Sequence, residues 1–108
     1  MENNENDMII PDNVRLEVIE GQDKGKDFII KNKTITIGRD STCDFILTDE
    51  YLSNKHCQIV YRGDHFTIID LQSTNKTIVN DKDFLQKNLK DKDIITLGTT
   101  KICFQLSE

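Results

Sequence analysis

The sequence predicts an all-β sandwich, and three observations carry that prediction. Apolar residues recur with a period close to two from Val14 onward, the alternation of half-buried strands. Turn-forming residues interrupt the alternation about every eight to twelve residues, the spacing of sandwiches and barrels. Only Phe84 to Leu89 is compatible with a helix, and it is too short to form a layer of its own.

The elements follow in order. Val14-Arg15-Leu16-Glu17-Val18 alternates cleanly and reads as a first strand. Gly21 to Gly25 is a turn and Phe28-Ile29-Ile30 the next strand. Thr34-Ile35-Thr36-Ile37 alternates again and stops at Gly38; Phe45-Ile46-Leu47 is a short apolar run. Cys57 to Tyr61 and Phe66 to Asp70 flank Arg62-Gly63-Asp64, a hairpin turn with glycine inside it. Thr77-Ile78-Val79 runs into the turn pair Asn80-Asp81. Ile94 to Leu97 and Ile102 to Leu106 close the chain on either side of Gly98. This reading gives about ten strands.

A chain of 108 residues, 36% hydrophobic and 31% charged, holds one ordinary globular core. Residues 1–12 read as a disordered acidic lead and residues 13–108 as the domain. The net charge of −5 includes three acids and no base in residues 1–7, leaving −2 over the rest. That near balance lacks the basic surface of direct nucleic-acid binding. An odd number of cysteines, Cys43, Cys57 and Cys103, without a signal peptide suggests reduced thiols in an intracellular, nuclear or cytoplasmic, setting. All three fall in apolar-rich strands and read as buried core thiols. Neither the cysteines nor the two histidines complete a zinc pattern, so no metal or cofactor is expected. No run approaches the roughly 18 apolar residues of a membrane span.

Three short pieces fall at strand ends: Gly38-Arg39, Ser53-Asn54-Lys55-His56 and Ser73-Thr74-Asn75-Lys76-Thr77. Three such ends can converge on one edge of a sandwich. Together they supply an arginine fork, a hydroxyl, an ammonium and an amide, the donor set of a phosphate-ester receptor. Taken singly each piece means little. Most Gly-Arg pairs are surface turns, and Thr74-Asn75 is by default an Asx-type turn. Ser53-x-x-His56 invites comparison with a hydrolase, with Asp49 or Asp70 as orienter, but it lacks a nucleophile elbow, and a local turn is the better reading.

The joint pattern resembles the forkhead-associated (FHA) domain, a phosphothreonine-recognition module. The matching residues are Gly38-Arg39, Cys43 to Leu47, Leu52 to His56, Asp70-Leu71, Ser73-Thr74-Asn75 with Thr77, Val79-Asn80 and Asp93-x-Ile95-x-Leu97-Gly98. The resemblance covers about residues 14–106. It implies an eleven-stranded β-sandwich (FHA/SMAD-like) with its binding loops at one end, no enzymatic activity and a phosphothreonine-containing protein or peptide as partner, bound by a monomer. By analogy Arg39 and Ser53 hold the phosphate; Asn54, Lys55 and Thr74 complete its cradle; Asn75 bonds the main chain next to the phosphothreonine. Gly38 and His56 hold two loops in register, and Thr77 and Asn80 brace the third.

Two departures bear on specificity. The family's glycine after the loop asparagine is Lys76 here, which costs about 1 kcal/mol if the position has positive φ. Lys76 is either an added cation facing an acidic ligand or, as preferred, a tolerated exposed lysine. The glycine after Val-Asn is Asp81, which also suits a turn. Tyr51, two before Ser53, corresponds to a ligand-touching position in relatives; there it favours an apolar or hydrogen-bonding residue third after the phosphothreonine. The competing reading is a scaffold of the same fold that binds partners through a sheet face without phosphate.

Overall fold

The structure, a computed structural model, describes residues 9–106. The acidic lead expected over residues 1–12 falls mostly outside them; within it, Ile10 packs against the core. The described residues form eleven strands: β1 (Arg15–Glu20), β2 (Asp27–Ile29), β3 (Thr34–Gly38), β4 (Phe45–Ile46), β5 (Cys57–Tyr61), β6 (Phe66–Asp70), β7 (Ile78–Val79), β8 (Lys82–Asp83), β9 (Gln86–Leu89), β10 (Ile94–Leu97) and β11 (Thr100–Gln105). They form a six-stranded sheet in the order β2-β1-β11-β10-β7-β8 and a five-stranded sheet in the order β4-β3-β5-β6-β9. All pairings are antiparallel except β3 with β4.

The alternation read from the sequence is the alternation of the two faces. In the first sheet Leu16 pairs with Phe104 and Val18 with Ile102, all inward. In the second, Ile35 pairs with Ile59 and Ile59 with Ile68. These rows meet in a single buried cluster. Phe66 anchors the core, 4.7 Å from the ring of Tyr61 and 5.6 Å from that of Phe104. Truncating any of these side chains to alanine typically costs about 2–5 kcal/mol.

Three expectations need correction. Phe84 to Leu89 is not helical: Gln86–Leu89 pairs with β6, Phe66 opposite Leu89. The strand-hydrogen-bonding edge of β6 and an inward slot for Leu89 outweigh a weak local helical preference. Cys43 is buried but lies in a turn, not a strand, its thiol 3.1 Å from the Asn54 carbonyl oxygen. Cys103 is on β11 but faces outward and is only half-buried, because it alternates with inward Ile102 and Phe104.

Strand direction sorts the loops. The β3–β4, β4–β5, β6–β7, β8–β9 and β10–β11 connections gather at one end. The β5–β6 and β7–β8 hairpins lie at the other. Asn80 and Asp81, with φ of 51° and 75°, form the two-residue link of the β7–β8 hairpin, in which Val79 pairs with Lys82; positive φ at both is what such a turn requires.

Candidate functional site

The β3–β4 and β4–β5 loops meet first. Gly38 is buried, and a side chain there is excluded by its neighbours: a Cβ would lie 2.1 Å from the Asn54 carbonyl oxygen. The glycine therefore admits another backbone rather than a ligand. Main-chain bonds lock the approach, Asp40 N–H to the Asn54 carbonyl at 3.1 Å and Arg39 N–H to that of Ser53 at 3.4 Å. Arg39 is thereby set beside Ser53 and Asn54. Its exposed guanidinium makes no ion pair among the described residues.

The β6–β7 loop closes on the same place. The Thr74 main-chain N–H donates to Ser53 Oγ at 3.1 Å. With an acceptor position filled, the hydroxyl still has its proton to donate outward. Asn75 Nδ2 donates to the Tyr51 carbonyl at 2.7 Å, leaving its Oδ1 and second N–H available. Thus Arg39, Ser53, Asn54, Thr74 and Asn75 share one end of the sandwich. Lys55 and Lys76, next in sequence to Asn54 and Asn75, are exposed there too. A cleft of about 670 Å³ opens alongside, with Arg39, Tyr51 and Asn54 among its walls.

What holds these loops was only partly visible in the sequence. His56 is fully buried; its Nδ1 accepts the Ser53 N–H at 3.1 Å and its Nε2 lies 2.8 Å from the Lys76 carbonyl oxygen. Nδ1 faces a donor, so the hydrogen belongs on Nε2. Both ring nitrogens are engaged by main chain, leaving none to act as a base toward the Ser53 hydroxyl. The hydrolase reading has no geometry behind it.

Thr77 and Asp70 brace the third loop from within. Asp70 Oδ1 accepts the Thr77 hydroxyl at 2.7 Å and also the Ser73 hydroxyl, while Oδ2 accepts the Ser73 N–H at 3.0 Å. Burial pushes the Asp70 carboxyl up, but the bonds from Ser73 and Thr77 outweigh it, so it sits below the usual carboxylate range. Asn80 does not brace this loop. It bonds Asp93 (2.8 Å) and the Ile94 N–H (2.9 Å) at the far end of the sandwich, because its turn lies at the opposite tip of β7.

Sequence reasoning missed Asp49 as a loop anchor. Nearly buried, it accepts from the Thr99 N–H, the Thr99 hydroxyl, the Thr100 hydroxyl (2.7 Å) and the Tyr51 N–H (2.9 Å). It ties the segment that carries Tyr51 and Ser53 to the β10–β11 turn. Its bonding partners in that turn stand about fifty residues away, so no local motif announces it. The bond from Asp70 to the Ser73 N–H, in contrast, is local, spanning three residues.

Lys76 sits in the left-handed region that favours glycine, with φ of 70°. That conformation aims its carbonyl oxygen at His56 while its side chain stays exposed.

Comparison with known proteins gives a consistent picture. Residues 17–108 match the family described as the inner membrane component of T3SS, cytoplasmic domain. The chain is similar to the FHA domain-containing protein FhaA of Mycobacterium tuberculosis, 31% identical over 93 residues, covering 86% of this chain and 17% of FhaA. It is also similar to the oxoglutarate dehydrogenase inhibitor of Corynebacterium jeikeium, 28% identical over 88% of this chain and 67% of that protein. Among solved structures, a domain from a structural and functional analysis of phosphothreonine-dependent FHA domain interactions superposes with a TM-score of 0.81. The identity there is 29%, over 88% of this chain and 97% of the other. The chain thus spans only about a sixth of FhaA's length. No helix among the described residues is long and apolar enough to cross a membrane.

Proposed function

The chain belongs to the forkhead-associated domain family, a family of binding modules, and from that premise we propose that residues 13–108 bind phosphothreonine-containing proteins, recruiting them in intracellular signalling. One observation carries the reading: the Thr74 N–H on Ser53 Oγ joins two loops that the sequence separates by about twenty residues, beside an arginine whose guanidinium makes no ion pair among the described residues. Arg39 takes two phosphate oxygens in its fork, and the Ser53 hydroxyl donates to a third. Asn54, Lys55 and Thr74 complete the cradle. Asn75 Oδ1 accepts a main-chain N–H of the partner. Tyr51 lies along the cleft that the flanking residues would follow.

This reading is recognition and not catalysis: both ring nitrogens of His56 are engaged by main chain, and a phosphate receptor needs no base toward Ser53. Three free cysteines and a ligand made by kinases both suit an intracellular setting. Three or four charge-assisted hydrogen bonds, at about 1.5–3 kcal/mol each, together with backbone contacts must offset several kcal/mol of association cost; micromolar affinity, about −8 kcal/mol, is expected.

The deciding experiment is a degenerate phosphothreonine peptide library screened against the wild type and Arg39→Ala. Wild type is expected to select phosphothreonine sequences and Arg39→Ala to bind none. Phosphoserine versions are expected to bind at least about tenfold more weakly, because the lost methyl accounts for about fourfold and the lost β-branching for the rest. Dephosphorylated peptide should not bind. Failure of the wild type to bind any phosphothreonine peptide sinks the proposal in favour of a sheet-face scaffold.

A further inference from the structure

The β6–β7 loop has a second cleft beside it. Ser73 and Lys76 line a hollow of about 420 Å³ whose remaining lining includes Asp83, Phe84 and Leu85. It shares no residue with the cleft that contains Arg39 and Tyr51. Leu85 is 80% exposed. Phe84 beside it packs partly against the core, and Lys87 Nζ lies 5.3 Å from the centre of its ring.

A single exposed leucine is ordinary on a protein surface. This one differs in how it is held. The Asp70 N–H donates to the Leu85 carbonyl at 2.9 Å, and the Phe84 N–H donates to the Thr77 carbonyl at 2.9 Å. Both ends of the loop that carries Thr74 and Asn75 are therefore bonded to the segment that carries Leu85. A backbone so pinned presents its apolar side chain at little further cost in ordering. The charges around the hollow nearly cancel. Lys76 and Lys87 stand against Asp83 and Asp70, and the Asp70 oxygens are already filled by Ser73 and Thr77. What the hollow lacks is an apolar partner.

The geometry points to a second subsite. Phe84, Leu85 and the aliphatic stem of Lys76 take one apolar side chain, of the size of leucine, isoleucine, methionine or phenylalanine, from the phosphorylated partner itself. That residue lies on the flank of the phosphothreonine away from Tyr51. The occupant is the same partner because the hollow is continuous with the phosphate loop: Ser73 and Lys76 bracket Thr74 and Asn75. An extended segment advances roughly 3.3 Å per residue, so a chain anchored at Ser53 and Thr74 crosses the loop in about two to four residues. The inference rests on the phosphothreonine reading above.

The test uses peptides with a central phosphothreonine, in which each flanking position is set in turn to Leu, Ala or Asp. Fluorescence anisotropy is measured against wild type, Leu85→Ala, Leu85→Lys, Tyr51→Ala and Arg39→Ala, with thermal melts confirming that each variant is folded. Leucine at one position, about two to four residues to one side of the phosphothreonine, is expected to tighten binding about five- to tenfold over alanine. Leu85→Lys is expected to remove that advantage and to leave the alanine peptide unchanged. Arg39-dependent binding with no leucine preference on that flank overturns the subsite alone. So does a preference that survives Leu85→Lys, or one that Tyr51→Ala removes instead. Absence of any phosphothreonine-dependent binding overturns the function and the subsite together.

Discussion

The buried imidazole of His56 reaches twenty residues along the chain to the Lys76 carbonyl oxygen, 2.8 Å from Nε2, while Nδ1 accepts the Ser53 N–H. One ring therefore sets the distance between the Ser53 loop and the Asn75 loop. His56→Ala orphans two backbone groups and opens a void, so a loss of about 2–4 kcal/mol is expected in urea unfolding. Phosphopeptide affinity should fall even where the variant remains folded. A loss below about 1 kcal/mol, the size of an ordinary surface change, would mean that the loops hold each other by other means.

Gly38 is expected to be intolerant of the smallest change. A Cβ there would sit 2.1 Å from the Asn54 carbonyl oxygen and 3.0 Å from Cys43 Sγ. The oxygen belongs to backbone that is bonded to Asp40, so it cannot yield cheaply. Gly38→Ala should cost about 3 kcal/mol or more and displace Asn54. Calorimetric melting checks this, and a variant as stable as the parent would contradict the close approach.

The strands were legible and the fastenings were not. Strands β5, β6 and β10 match the residues read from the sequence: β5 and β10 bury every second side chain, and β6 is bounded by the Gly63 hairpin that pairs it with β5. Strand β9 was misread because Phe84 to Leu89 lacks a clean alternation, and its pairing with β6 is a tertiary fact. For the site, glycine, asparagine and serine clusters marked where the three loops begin and end. They did not show that Gly38 accommodates Asn54, or that Asn80 serves the far turn. Asp49 was invisible as an anchor because a carboxylate in a loop reads as solvated until the β10–β11 turn is folded against it.

The two carboxylates that fasten the loops give the domain an acid limit. Burial pushes Asp49 up, but hydrogen bonds from Thr100, Tyr51 and Thr99 outweigh it and hold the carboxyl below its ordinary value; Asp70 is lowered in the same way. A carboxyl lowered by folding contributes stability above its unfolded value of about 3.9 and loses it as the pH falls through the folded value. Stability should therefore be flat near neutrality and decline below about pH 4. Asp49→Asn should be weaker by about 1–3 kcal/mol at pH 7. An amide cannot accept both the Tyr51 N–H on one side and the three donors on the other. The same variant should lose part of the acid slope. An unchanged slope in urea titrations from pH 7 to 2.5 would remove Asp49 from this role.

Lys76 separates backbone from charge. Its φ of 70° is one that L side chains resist, at about 1–2 kcal/mol, whereas glycine there is unstrained but costs about 0.5–1 kcal/mol more to order. Lys76→Gly should thus raise stability by up to about 1 kcal/mol. The carbonyl that His56 contacts is kept, so the loop stays in place. If the ammonium is merely solvated, phosphopeptide affinity at physiological salt should change by less than about threefold, as for other exposed charges. If it faces the phosphate, affinity should fall further, and the loss should shrink as salt is raised. Measuring the parent and Lys76→Gly at low and high salt distinguishes the two, and a Lys76→Gly protein less stable than the parent would show that the lysine stem packs on Phe84 and Leu85 even without a ligand.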